Sequence, residues 1–250
     1  MPIDRRNASA GAAARPRKDP LLSAVCHDLR APLAAVTMGA NYVLQTTPED
    51  EANVRSRRVL LAMLRSCKQM ERLVRDFGDL AEIEQNALEL RSGIHDARQL
   101  IEMVAVAEHP NAELRNVTLR SVRAGAEVLL RCDGDRMRRA LGHILENAIR
   151  HAPTGSEVVL SAREDAGEVH FDITDSGPGL SSETLENLYD RFWHGKRADR
   201  VGTGLGMAIV RGIVTAHGGR MELSTEPGST TFSLLIPRDV PSARNLPASG

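Results

Sequence analysis

Between Leu60 and Ala81 apolar side chains recur at alternating steps of three and four: Leu60, Met63, Cys67, Met70, Val74, Phe77 and Ala81. This is the a/d seam of a heptad repeat, with Arg, Lys, Asp and Glu between. An earlier stripe runs Leu22, Val25, Leu29, Pro32, Val36 and Val43, and TTPED at 46–50 supplies a turn between the two. Two helices so joined make an antiparallel hairpin. Such a hairpin cannot cover its own apolar stripes, whereas two copies packed as a four-helix bundle can. The expectation is a homodimer.

The stretch AVCHDLRAPLAAV, residues 24–36, lies on the first stripe. If Val25 and Leu29 face the seam, His27 lies about 200° around the helix from Val25. It is then on the solvent side, next to Asp28. That position removes His27 from the core without yet giving it a chemistry.

Acids (33) and bases (32) nearly cancel, which argues against nucleic acid as a partner. No run of about 18 apolar residues exists to span a membrane. The first 19 residues lack the apolar segment of a signal peptide and read, with 239–250, as disordered tails. Cys26, Cys67 and Cys132 have no metal-ligand spacing, so three reduced thiols and a cytoplasmic location are expected.

After Leu88 the texture changes. Short alternating stretches at 117–122, 127–132, 157–163, 168–175 and 230–237 read as strands. Helical patterns at 96–107, 133–152 and 204–218 lie between them. The fold class is therefore α+β: a helical hairpin at 20–88, then a two-layer α/β sandwich at 89–238.

Three segments of the second region suit a nucleotide. DSGPGL at 175–180 follows a strand; Gly177 and Gly179 permit a tight turn, and Asp175 can accept a hydrogen bond from an exocyclic amine. GTGLGMAIV at 202–210 opens a helix with free N–H groups that favour phosphate. HILENAIRHAP at 143–153 places His143, Asn147 and His151 on one polar stripe of an otherwise apolar helix. The segment 181–201 before the glycine loop, basic around Lys196 and Arg197, reads as a lid over phosphates. Each segment alone is a weak signal.

Together, CHDLRAPL, LENAIRHAP, DSGPGL, LYDRFW and GTGLGMAIV occur in one order across residues 20–238. The series resembles the H, N, G1, F and G2 boxes of bacterial two-component sensor histidine kinases. The resemblance implies a dimerisation and phosphotransfer hairpin followed by an ATP-binding domain of the gyrase–chaperone–histidine kinase–mismatch-repair type. It implies that His27 is the phospho-acceptor, its Nε2 attacking the γ-phosphate of ATP while Asp28 holds the Nδ1 proton. It further implies that Asn147 ligates Mg²⁺, that Asp175 reads adenine, and that Gly177, Gly179, Gly202, Thr203, Gly204, Leu205 and Gly206 border the nucleotide. Arg150, His151 and Lys196 are implied phosphate-side contacts, Phe192 a lid anchor and Pro32 a kink that lets the hairpin bend. The implied partners are a second copy, a separate response regulator with a receiver domain, and an upstream sensor or adaptor protein.

Two positions depart from the family pattern. His143 stands where the family usually has a second Asn; an imidazole still bonds a phosphate or a metal-bound water, but Mg²⁺ prefers oxygen ligands. Weaker or more pH-dependent kinase activity is expected. Ala31, four residues after His27, offers no hydrogen bond to a hydrolytic water, so weak phosphatase activity is expected. The rival enzyme class, an ATPase of the gyrase or chaperone kind, needs a Glu at 143 as general base. The rival non-enzyme reading is a catalytically weak pseudokinase scaffold that binds ATP and a regulator.

Overall fold

The structure, a computed structural model, describes residues 20–85, 88–122, 127–188, 190 and 204–239, with side chains from residue 24 onward. Two long helices, α1 (Pro20–Thr46) and α2 (Val54–Glu84), form an antiparallel hairpin. Arg57 closes its turn, donating from Nη1 to the carbonyls of Leu44 (3.1 Å) and Thr47 (2.6 Å) and from Nη2 to Glu49 (2.5 Å). These bonds satisfy carbonyls that the end of α1 leaves without helical partners. α1 continues as one helix through Pro32.

The stripe that packs inside the hairpin differs from the expected one. Cys26, Leu33 and Ala40 of α1 are buried, with Thr37, Leu44 and Thr47 half-buried on the same side. Val25 and Leu29, expected to face the seam, are exposed at 43% and 47%. On α2 the expected seam divides: Cys67, Val74 and Ala81 are buried, whereas Met63 and Met70 stay open. α1 carries two apolar stripes about 60° apart, and both satisfy the same period. The smaller side chains lie between the paired helices. The bulkier stripe, Val25, Leu29, Val36 and Val43, is left for a surface that this protomer does not supply. His27 is exposed, as expected.

The second region is a two-layer sandwich. β1 (Gly93–Asp96) pairs with β3 (Leu129–Cys132). The main sheet has the order β2-β4-β5-β7-β6, built from β2 (Thr118–Ser121), β4 (Glu157–Asp165), β5 (Glu168–Asp175), β6 (Arg220–Glu226) and β7 (Ser229–Pro237). Only the β2–β4 pair is parallel. Helices α3 (Ala97–Leu114), α4 (Gly134–His151) and α6 (Gly206–Ala216) cover one face, and a short helix, α5 (Ser182–Glu186), lies at the start of the 181–201 segment. Val169, Phe171 and Ile173 of β5 are fully buried on that face, the period-two alternation read from the sequence.

β1, β6 and α5 had no signal strong enough to read. β6 is an edge strand whose alternate residues are exposed, so RMELSTE shows little apolar patterning. α3 runs seven residues beyond its expected end at 107, through Pro110. Among the described residues no helix is long and apolar enough to cross a membrane. All three cysteines are free and buried, and burial pushes the Cys132 thiol up to about 12.

Candidate nucleotide and phospho-acceptor site

α4 organises the nucleotide end. Asp133 caps its start by accepting from the Arg136 N–H (3.0 Å). Met137, Leu141, Ile144, Leu145 and Ile149 are buried against the sheet and α6, which leaves His143, Asn147 and His151 half-buried on one edge. The two ends of that edge touch the two glycine segments. A Cβ on Gly206 would lie 3.3 Å from Nδ1 of His143, and one on Gly177 would lie 3.1 Å from the backbone carbonyl of His151. Asn147 sits midway, about 6 Å along the helix from each. Its amide has no hydrogen-bond partner among the described residues, so a polar ligand would satisfy it.

Asp175 ends β5 with only 5% of its surface exposed. Burial pushes its carboxyl above the usual carboxylate range, and the N–H that Gly177 donates to it (2.8 Å) opposes that shift. The loop after it is pinned on the far side. Gly228 N–H donates to the Gly177 carbonyl (3.0 Å), and Leu180 N–H to Oγ1 of Thr225 (3.0 Å). Thr230, 3% exposed, is the register partner of Asp175 on β7 and lies 3.1 Å from the Thr225 hydroxyl. Thr225 and Thr230 are functional candidates that the sequence did not single out; their place depends on strand register.

Gly179 holds φ +80°, and a Cβ there would lie 2.9 Å from the carbonyl oxygen of Glu226. Gly179→Ala is therefore expected to cost about 1–3 kcal/mol of strain. Thermal unfolding should show a lower midpoint, and titration with an ATP analogue a weaker affinity; an unchanged midpoint and affinity would mean the loop relaxes freely.

Gly204 has φ +67°, Leu205 is fully buried, and α6 begins at Gly206 with no side-chain cap among the described residues. Its first-turn N–H groups are therefore available to an anion, as the glycine loop predicts. Lys196, Arg197, Phe192, Gly202 and Thr203 lie outside the described residues. Arg150 is engaged within the protein: its Nη2 lies 3.2 Å from Glu146, which also pairs with Arg72 of α2 at 2.8 Å. Nε2 of His143 faces Asp76 of α2 at 3.2 Å. His143 and Arg150 thus border the nucleotide edge while held by carboxylates.

On the hairpin, His27 and Asp28 are both exposed beside buried Cys26. Among the described residues their side chains share no hydrogen bond, because consecutive helical side chains diverge. The donor set fits a Mg-nucleotide: an amide without a partner, a buried carboxylate beside glycines, and an uncapped helix start meet along one edge of α4.

Comparison with known proteins agrees with that geometry. Residues 17–86 match the His Kinase A (phospho-acceptor) domain, and residues 132–240 match the histidine kinase-, DNA gyrase B- and HSP90-like ATPase family. Sensor protein DivL of Caulobacter vibrioides is 34% identical over 93% of this chain and 29% of its own length. Histidine protein kinase DivJ of the same species is 29% identical over 93% of this chain and 39% of its own. Sensor protein IrlS of Burkholderia pseudomallei is 32% identical over 86% of this chain and 46% of its own. The chain thus spans less than half the length of these relatives. Among solved structures, full-length ShkA in complex with AMPPNP superposes with a TM-score of 0.69 at 26% identity, over 87% of this chain and 45% of that one.

Proposed function

The chain belongs to the two-component sensor histidine kinases, and on that premise we propose that it autophosphorylates on His27 from Mg-ATP and passes the phosphoryl group to an aspartate of a separate response regulator. The observation that carries this reading is the pairing, in one chain, of an exposed His27–Asp28 dipeptide with the Asn147, Asp175 and Gly206 cradle.

Asp175 accepts the exocyclic amine of adenine, and the N–H groups at the start of α6 hold the phosphates. Nε2 of His27 attacks the γ-phosphorus; the bond to the bridging oxygen breaks, and ADP leaves with that electron pair. Asp28 swings to hold the proton on Nδ1, which keeps Nε2 nucleophilic. Asn147 would hold a Mg²⁺ ion through its side-chain oxygen and His143 would bond a water on it, and the ion would supply charge neutralisation on the phosphates. Gly177, Gly179, Gly202, Thr203, Gly204 and Leu205 border the nucleotide, with Arg150, His151 and Lys196 toward the phosphates. The hairpin at 20–88 dimerises through its open apolar stripe, the unit at 89–238 binds ATP, and both work in the cytoplasm. An upstream sensor or adaptor protein supplies the signal, and Ala31 leaves phosphatase activity weak.

The test is incubation of the chain with γ-labelled Mg-ATP. Label stable in base and lost in acid is expected, as a phosphoramidate requires. A chain that binds an ATP analogue yet takes up no label would instead be a nucleotide-binding scaffold.

A further inference from the structure

The last turns of α2 and one face of α4 are joined by a ladder of opposite charges. Arg72 pairs with Glu146 (2.8 Å), Asp76 with His143 (3.2 Å), Asp79 with Arg136 (2.9 Å) and with Arg139, and Glu82 with Arg136 (2.6 Å). Steps of three and four along each helix, in opposite directions, keep every rung on one face. The outer rung is open, with Arg72 45% exposed, while the side chains of Asp76 and Asp79 are 6% and 7% exposed. Beside the ladder Ile83 of α2 packs on Gly212 of α6, where a Cβ would overlap it.

The ladder reaches the nucleotide edge. His143, held by Asp76, has its ring against Gly206 at the start of α6. Arg150 is held by Glu146, itself tied to Arg72. Both cationic or cation-capable groups on that edge are therefore satisfied by carboxylates when the two parts are docked. The phosphates of a nucleotide would bring further negative charge beside Asp76 and Glu146.

The ladder also lies level with the phospho-acceptor. Arg30 of α1 reaches Gly78, within 3.2 Å of a Cβ there, and Thr37 donates to Glu71 (3.1 Å). Continuing that antiparallel register puts residues 76–83 of α2 beside residues 25–32 of α1.

We propose that this ladder is an ionic latch, in which Asp76 of the hairpin and Glu146, which Arg72 ties to the hairpin, compete with nucleotide phosphates for His143 and Arg150. Docked, the latch fixes the ATP-binding part beside the His27 level in one orientation and weakens nucleotide binding. Nucleotide binding in turn loosens the latch, since coupling between two equilibria is reciprocal. The inference rests on reading the 143–151 edge and the start of α6 as the phosphate end of a nucleotide site.

The experiment measures the affinity of the whole chain for a non-hydrolysable ATP analogue by calorimetry, with Glu146→Gln and Asp76→Asn beside wild type. Neither residue is placed in contact with nucleotide, and Glu146 is 30% exposed, so an amide of the same shape there leaves the fold intact. Affinity about fivefold or more tighter in both variants is expected, the low end of usual coupling factors. Hydrogen exchange of residues 72–85 in wild type should quicken when the analogue saturates. Equal or weaker affinity in Glu146→Gln, with exchange unmoved by the analogue, overturns the latch and leaves the nucleotide site standing. No binding in wild type or in either variant overturns the site reading and the latch with it.

Discussion

His27→Ala is expected to take up no acid-labile phosphate from Mg-ATP while binding an ATP analogue as wild type does. The side chain is exposed and Ala favours a helix, so the midpoint of thermal unfolding should move little; such surface changes usually fall within about 0.5 kcal/mol. The seven other histidines are internal controls. His217 has both ring nitrogens engaged, Nε2 accepting from the Asp133 N–H (2.9 Å) and Nδ1 bonded to the Ile213 carbonyl (2.8 Å). His143 is tied to Asp76. His109 is open but pairs with Glu113 on α3, outside the hairpin. Label that persists in His27→Ala would move the acceptor elsewhere and end the assignment.

Asp175→Asn is expected to weaken binding of an ATP analogue roughly ten- to hundredfold without unfolding the chain. The carboxylate serves two donors at once, the Gly177 N–H in the protein and the proposed adenine amine. An amide of the same shape has one carbonyl oxygen for both. A lost hydrogen bond to a charged group is worth about 1.5–3 kcal/mol, which is that change in affinity.

The effect on stability should have the opposite sign. Burial raises the folded-state pKa of Asp175 above its ordinary value. The folded chain then holds a proton that the unfolded chain has lost, and this group's contribution falls as pH rises through that interval. Asn carries no such charge. The variant without nucleotide should be at least as stable as wild type at neutral pH and should lack that part of the pH dependence. Calorimetric titration and thermal unfolding at two pH values read both effects, and retained affinity would remove Asp175 from the base-binding role.

Some of the site was legible because its chemistry is local. Gly177 and Gly179 lie within four residues of Asp175, and the 143–147–151 stripe follows from helical spacing alone. The Thr225–Thr230 hydroxyl pair was not legible, since its approach to Asp175 depends on the β5–β7 register. Nor was the engagement of His143 by Asp76 or of Glu146 by Arg72, in which α2 and α4 pair residues more than sixty positions apart.

Periodicity by itself determined that residues 20–85 form two helices and that an alternating β5 lies over a helical layer, because each is a matter of angle per residue. Tertiary structure decided which apolar stripe of α1 meets α2. Two stripes about 60° apart have the same period, and only close packing of Cys26, Leu33 and Ala40 against the facing helix separates them. It likewise decided which charges of α2 reach the nucleotide edge, for an ion pair depends on where two helices cross.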